Sequence, residues 1–389
     1  MTLTKPIPYG RQHITEEDIN AVVKSLQSDF LTQGPLIEDF ESKFAEYIGC
    51  KYAVAVSNGT AALHLSALAL GVNEKSKVIT SPITFAASAN CILYCGGEIV
   101  FADIEKESVI LDINKVRELL SNSPKGTYQG IIPVDFAGFP ADMESFRQLA
   151  DEFDCWLLED SCHSPGGFFI DSKGTKQNCG NGQYADLAIF SFHPVKHIAC
   201  GEGGMITTNS KELYEKLLVL RTHGITKDNS KFKSKKETDG AWYYEMQDLG
   251  YNYRLPDLNA ALGISQLERA NEGIQRRREI SKKYDEAFLN TKIDTFDNPE
   301  GHAYHLYIIR VEDRLELYNY LKANNIYSQV HYIPVHTLPY YQDLGWERGD
   351  FPISESYYEK CLSLPMYPSL TNEQQEFVIN TIKNYYYGN

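Results

Sequence analysis

The chain has 389 residues, of which 43% are hydrophobic and 23% charged, with a formal net charge of −15. This length exceeds one typical domain and can bury a substantial core. The acidic balance argues against nucleic acid and anionic membranes as general partners, so any anionic ligand needs a local positive field from helix N-termini and selected side chains.

In chain order, Thr15-Glu-Glu-Asp18 is a capping-box pattern ahead of a helix marked by Ile19, Val22, Val23 and Leu26. Ser28 to Pro35 reads as a loop, and Ile37, Phe40, Phe44 and Tyr47 mark a second helix. Tyr52–Val56 is a short apolar strand, and Ser57-Asn-Gly-Thr60 turns it into an Ala/Leu-rich helix. Strands and helices then alternate: a strand at Val78-Ile79, a helix from Thr84 to Tyr94, strands over 98–104 and 130–135, a helix over 142–153, and a strand Trp156–Asp160. Such alternation predicts a mainly parallel α/β sheet. The apolar run Leu187–Phe190 ends at Ser191, Lys196 follows in a turn, and Gly201-Glu-Gly-Gly204 leads into the strand Gly204–Thr208. Residues 226–241 are polar and lysine-rich and read as a loop, either a solvated excursion or a lid over an anion. Long helices follow, and a smaller α+β region opens near Tyr304, so we expect a large domain over 1–270 and a small one over 271–389.

No run is long enough for a membrane-spanning helix, and Met1–Pro8 lacks the apolar core of a signal peptide. Eight cysteines are scattered without a CxxC pair, which reads as reduced thiols in a cytoplasmic protein. Cys91 and Cys95 share a helix face but have no matching Cys or His pair, so no metal is expected.

Three strand ends carry chemistry, where ligands collect in such sheets. The Ser57–Thr60 turn offers Gly59, the Thr60 hydroxyl and a helix N-terminus to a phosphate. Asp160 ends a buried strand, where a carboxylate is costly unless a cation meets it; a protonated pyridine nitrogen is one such cation, a structural Arg or Lys another. His163 is placed to hydrogen-bond a phenolate oxygen. Ser191 adds a hydroxyl, and Lys196 an amine whose pKa burial lowers, as a Schiff base with a carbonyl cofactor requires. Phosphate turn, strand-end aspartate, then strand-end lysine is the order of a pyridoxal-phosphate site.

With these residues the sequence resembles the DegT-type nucleotide-sugar aminotransferases, fold type I pyridoxal-phosphate enzymes, over nearly its whole length. The matching segments are Ser57–Leu63, Ser81–Phe85, Glu159-Asp160 with His163, Phe190–Lys196, Gly201–Gly204, Arg221–Gly224 and Leu249–Leu255. The resemblance implies a mainly parallel seven-stranded sheet flanked by helices, with a smaller C-terminal α+β domain. It implies that Lys196 bonds the cofactor and moves protons, Asp160 pairs the pyridinium, and Phe85 stacks on the ring. It also implies that His163 approaches the 3-hydroxyl, that Gly59, Thr60 and Ser191 hold the phosphate, and that Asn252 reaches the cofactor of a second subunit in a homodimer. A branch of the family with histidine at the lysine position catalyses dehydration; Lys196 stands there here, which points to transamination through a pyridoxamine phosphate form.

Within the family, Leu31–Gly34, Val134–Gly138, Ser191–Lys196 and Ser328–Tyr332 are similar to the branch that aminates C4 of a UDP-linked 4-keto-6-deoxy sugar for pseudaminic acid, with L-glutamate as donor. Carried over by position, Tyr9, Asp29, Phe30, Leu31, Thr32, His193, Val330, His331, Tyr332 and Ile333 contact the nucleotide sugar. Two features depart from the family pattern, Cys162 in Asp160-Ser-Cys-His163 and the long basic loop at 226–241. Two other readings stay open: an aminotransferase for another dTDP-, GDP- or UDP-linked 3- or 4-keto sugar, and a cofactor-binding regulatory protein without turnover.

Overall fold

The computed structural model describes residues 6–234 and 240–388. Seven strands form the central sheet: β1 (Tyr52–Val56), β2 (Lys77–Thr80), β3 (Glu98–Phe101), β4 (Gly130–Ile132), β5 (Trp156–Asp160), β6 (Leu187–Ser191) and β7 (Gly204–Thr208). Their order is β1-β7-β6-β5-β4-β2-β3, parallel throughout except that β7 runs antiparallel to both β1 and β6. The strands are apolar on both faces because helices cover both. Alternate residues therefore enter different cores: Val78 and Ile189 pack with the helices Gly59–Ala69 and Ala87–Tyr94, whereas Ile79 packs with Val116, Phe146 and Leu149 on the other side. The predicted mainly parallel α/β architecture is what the structure has.

Boundaries shift locally. The helix expected from Thr84 begins at Ala87, because the Thr84 side chain turns inward to bond Ser88 Oγ at 2.8 Å. The strand expected over 98–104 ends at Phe101, with Ile104 in an isolated bridge to Leu111.

The C-terminal region carries an antiparallel sheet of Asp294–Thr295, Tyr307–Arg310 and Cys361–Leu364, covered by helices Arg314–Ala323 and Asn372–Tyr387. The N-terminal pair Ile7–Pro8 lies parallel to Ile326–Tyr327, and Ile7 is buried in that same core.

The helix Glu16–Leu26 has the predicted capping box but not the usual orientation. Asp18 is fully buried and accepts from Ser265 Oγ at 2.7 Å, Gln266 Nε2 at 2.9 Å and the Arg269 guanidinium. Burial alone would raise the Asp18 pKa, but its bonds to Arg269, Thr15 and Ser265 hold it below the ordinary carboxylate value. With the polar side anchored, Ile19, Val23 and Leu26 are left exposed. Of the basic loop at 226–241, residues 235–239 lie outside the described residues. At its base, Ile225–Thr226 pairs with Glu245–Met246. No helix among the described residues is long and apolar enough to cross a membrane.

Candidate active site

The site lies where β5 and β6, adjacent and parallel, reach their C-terminal ends. Asp160 is 4% exposed, and its Oδ2 accepts from Ser88 Oγ at 2.6 Å while Oδ1 accepts from the Cys162 N–H at 3.2 Å. Because Ser88 gives its proton to the carboxylate, Thr84 is the donor in the Thr84–Ser88 bond, so a buried hydroxyl chain leads to Asp160. Among the described residues, no side chain makes an ion pair with this carboxylate, so the buried anion calls for a cation from a ligand.

Lys196 sits in the turn after β6, its N–H bonded to the His193 carbonyl at 2.8 Å. Burial lowers its pKa, while the nearby Cys162 and Asp160 act in the opposite direction. His163 accepts the Ala137 N–H on Nδ1 at 3.1 Å, and burial holds its pKa well below the ordinary histidine value. Its proton therefore sits on Nε2, 3.3 Å from the Tyr332 hydroxyl.

The helix Gly59–Ala69 begins against β6, with Asn58 Oδ1 accepting the Ala61 N–H at 2.8 Å. A Cβ on Gly59 would lie 3.0 Å from Ser191 Cβ, so glycine lets this N-terminus close on the Ser191 hydroxyl and leaves an amide-rich cradle beside Thr60. Phe85 is 62% exposed, with its ring 6.2 Å from that of Tyr332.

Tyr9 and His331 stand with their rings 5.1 Å apart, and His331 Nδ1 bonds Ser363 Oγ at 2.8 Å. Val330 and Ile333 flank them, the latter exposed. The fold thus gathers Gly59, Thr60, Phe85, Asp160, His163, Ser191, Lys196, Tyr9, His331 and Tyr332 at one end of the sheet. His193 also lies there, exposed. Asn252 faces solvent, one residue before Tyr253, whose carbonyl takes the Ser57 N–H at 2.8 Å. The exposed loop Asp29–Thr32 is not brought to the cluster: Leu31 O accepts from the Asp257 N–H at 3.1 Å and Thr32 bridges Pro256.

Sequence reasoning missed Ser88, His305 and Arg277. Ser88 follows Thr84 by four residues, a spacing that could have suggested a hydroxyl pair; nothing local marks the other two. His305 Nε2 lies 3.5 Å from Lys196 Nζ. The buried Arg277 donates to the carbonyls of Tyr304, His305 and Met366 at 3.0, 3.2 and 3.0 Å.

A buried carboxylate with no ion-pair partner among the described residues, an exposed aromatic plate, a glycine at a helix N-terminus and a half-buried lysine suit pyridoxal phosphate: pyridinium, ring, phosphate and aldehyde each meet a complementary group. Fold and site together define a pyridoxal-phosphate-dependent transferase. The chain belongs to the DegT/DnrJ/EryC1/StrS aminotransferase family, whose model matches residues 12–383, and it is an aminotransferase. It is 37% identical to spore coat polysaccharide biosynthesis protein SpsC of Bacillus subtilis, over 97% of this chain and 96% of that one. It is 35% identical to the UDP-4-amino-4,6-dideoxy-N-acetyl-beta-L-altrosamine transaminase of Campylobacter jejuni, with the same coverage of 97% and 96%. A putative sugar aminotransferase of Streptococcus pneumoniae, solved in its pyridoxal-phosphate form, superposes with a TM-score of 0.87 at 28% identity, over 97% of this chain and 98% of that one.

Proposed function

We propose that this enzyme moves the amino group of L-glutamate to the C4 keto group of a UDP-linked 2-acetamido-2,6-dideoxy-hexos-4-ulose, a step toward pseudaminic acid, through a pyridoxamine phosphate form. The observation that carries the reading is Lys196 near the buried Asp160, which has no ion-pair partner among the described residues, at the ends of neighbouring strands. The similarity to the Campylobacter transaminase supports the choice of sugar.

The cofactor, when bound, supplies an electron sink for the carbon from which a proton is removed. Lys196 holds it covalently and, once released, carries that proton on Nζ, a task suited to an amine whose pKa burial lowers. Asp160, steadied by Ser88 and the Cys162 amide, keeps the ring nitrogen protonated. His163 donates its Nε2 proton toward the 3-hydroxyl, beside Tyr332. Gly59, Thr60 and Ser191 bind the phosphate, and Phe85 covers the ring.

Asn252 completes the phosphate site of a partner in a homodimer. The outward apolar residues Ile19, Val23 and Leu26 and the exposed loop Asp29–Thr32 fit the same assembly, which brings that loop to the partner's sugar. Tyr9, His193, Val330, His331 and Ile333 line the sugar side. The eight free cysteines accord with a reducing, cytoplasmic location.

An absorbance spectrum before and after L-glutamate tests the cofactor and donor. The visible band of the lysine-linked cofactor is expected to convert to the pyridoxamine phosphate band; a band that glutamate leaves unchanged would refute the donor. Pyridoxamine-loaded enzyme offered UDP-, dTDP- and GDP-linked keto sugars then decides the sugar, and preference for a dTDP or GDP sugar would replace the UDP assignment.

A further inference from the structure

His305 is 4% exposed and belongs to no motif, yet its Nε2 stands 3.5 Å from Lys196 Nζ. Its ring packs on that of His163 with centroids 4.2 Å apart, and the ring of His197 lies 5.7 Å away. The backbone that presents it is held from two sides. Arg277 donates to the carbonyls of Tyr304 and His305, and the Leu306 N–H donates to Ala137 O at 3.1 Å in the segment that also bonds His163. Tyr304 takes a left-handed φ of 50°, a conformation such a side chain adopts only where its surroundings impose it.

We infer that His305 is a positioning residue for the amine of Lys196, its Nε2 accepting a hydrogen bond from Nζ whenever the lysine is not covalently engaged. Three observations carry this. The Lys196 ammonium can only donate, so toward it Nε2 is the acceptor and the ring proton lies on Nδ1. Nδ1 is buried with no partner among the described residues, so the contact with Lys196 is the one polar bond that orients the ring. Burial pushes the His305 pKa well below its ordinary value, with the Lys196 charge acting the same way, so the ring stays neutral and does not remove the proton Lys196 must carry. The other titratable groups facing the pair are Asp160, Cys162 and His331 near Lys196, and His163, His197 and Arg277 around His305. With the acceptor in place, the freed amine swings back to one point and both half-reactions find it there.

The inference rests on Lys196 being the cofactor lysine, and the test separates the two. Apoenzyme is mixed with pyridoxal phosphate across a pH series, and the rate at which the visible band appears reports the fraction of neutral Lys196. In His305→Leu the ammonium loses an acceptor, so the midpoint of that profile is expected to fall by about one pH unit. The glutamate half-reaction of the loaded variant slows about tenfold, while His305→Gln, whose Oε1 reaches the same place, restores both. If His305→Leu fails to fold, His305→Asn, whose amide is too short to reach Nζ, must show the same shift. A wild-type midpoint and half-reaction in the folded Leu or Asn variant would overturn the role of His305 alone. A wild-type protein that captures no pyridoxal phosphate would overturn the lysine assignment and this inference with it.

Discussion

The sheet wall of the site carries Asp160, Ser191 and Lys196 at or just beyond the ends of two neighbouring strands, whereas the facing wall carries His305, His331 and Tyr332 on irregular chain of the C-terminal region. On the first wall, position follows from regular hydrogen bonding, since β5 and β6 are paired and apolar neighbours fill both faces. On the second, the ladder of Tyr307–Arg310 with Cys361–Leu364 starts only two residues past His305; at His305 itself a buried guanidinium gathers three carbonyls, and a left-handed Tyr304 turns the chain. Regular structure thus places the groups assigned to the chemistry, and a point anchor places the chain at His305.

The hardest break of this contrast is on the sheet wall. Lys196→Ala is expected to abolish the lysine-linked visible band and cut turnover by about 10³-fold or more, as for loss of a general acid–base group. A yellow, active Lys196→Ala protein would end the assignment.

On the facing wall the expected damage is to stability. Arg277→Met leaves three carbonyls without their charged donor, which is expected to cost about 3 kcal/mol in denaturant unfolding. An unchanged midpoint would show that the clamp is dispensable.

The same wall should also be acid-sensitive. Burial pushes the His302 pKa down to about 3, below the unfolded value of about 6.5. Between those values the unfolded chain binds more protons, so this group's contribution to stability is full above pH 6.5 and is lost as pH falls toward 3. Between pH 7 and 5, His302→Asn should therefore lose about 2 kcal/mol less stability than wild type. Equal losses would show that His302 titrates normally.

The smallest effect returns to the sheet wall. Ser88→Ala removes one 2.6 Å bond to Asp160 and should weaken pyridoxal phosphate binding to apoenzyme about tenfold without changing the fold. Binding of wild-type strength would mean that the Cys162 amide suffices.

Much of this was legible beforehand, and the reasons differ by residue. Asp160, Ser191 and Lys196 could be read because a buried strand announces itself as an apolar run and its polar terminus marks the sheet edge. The helix Glu16–Leu26 was legible as a helix but not in its facing. Its apolar stripe is turned outward because Asp18 finds Arg269, some 250 residues away in sequence, and periodicity carries no information about such a partner. The homodimer we propose would cover that stripe, and the sequence pointed to such an assembly only through resemblance.

The sequence by itself determined the alternation of strands and helices, the glycine turn before the helix Gly59–Ala69, and the strand-end order of aspartate and lysine. Each is encoded within a few neighbouring residues. Tertiary structure alone decided that Ser88 holds Asp160, that Arg277 braces the chain at His305, and that His305 meets Lys196 across 109 positions. Those contacts join elements whose separation in the chain is set by the whole fold, and the short range of a hydrogen bond makes them visible only once the chain is packed.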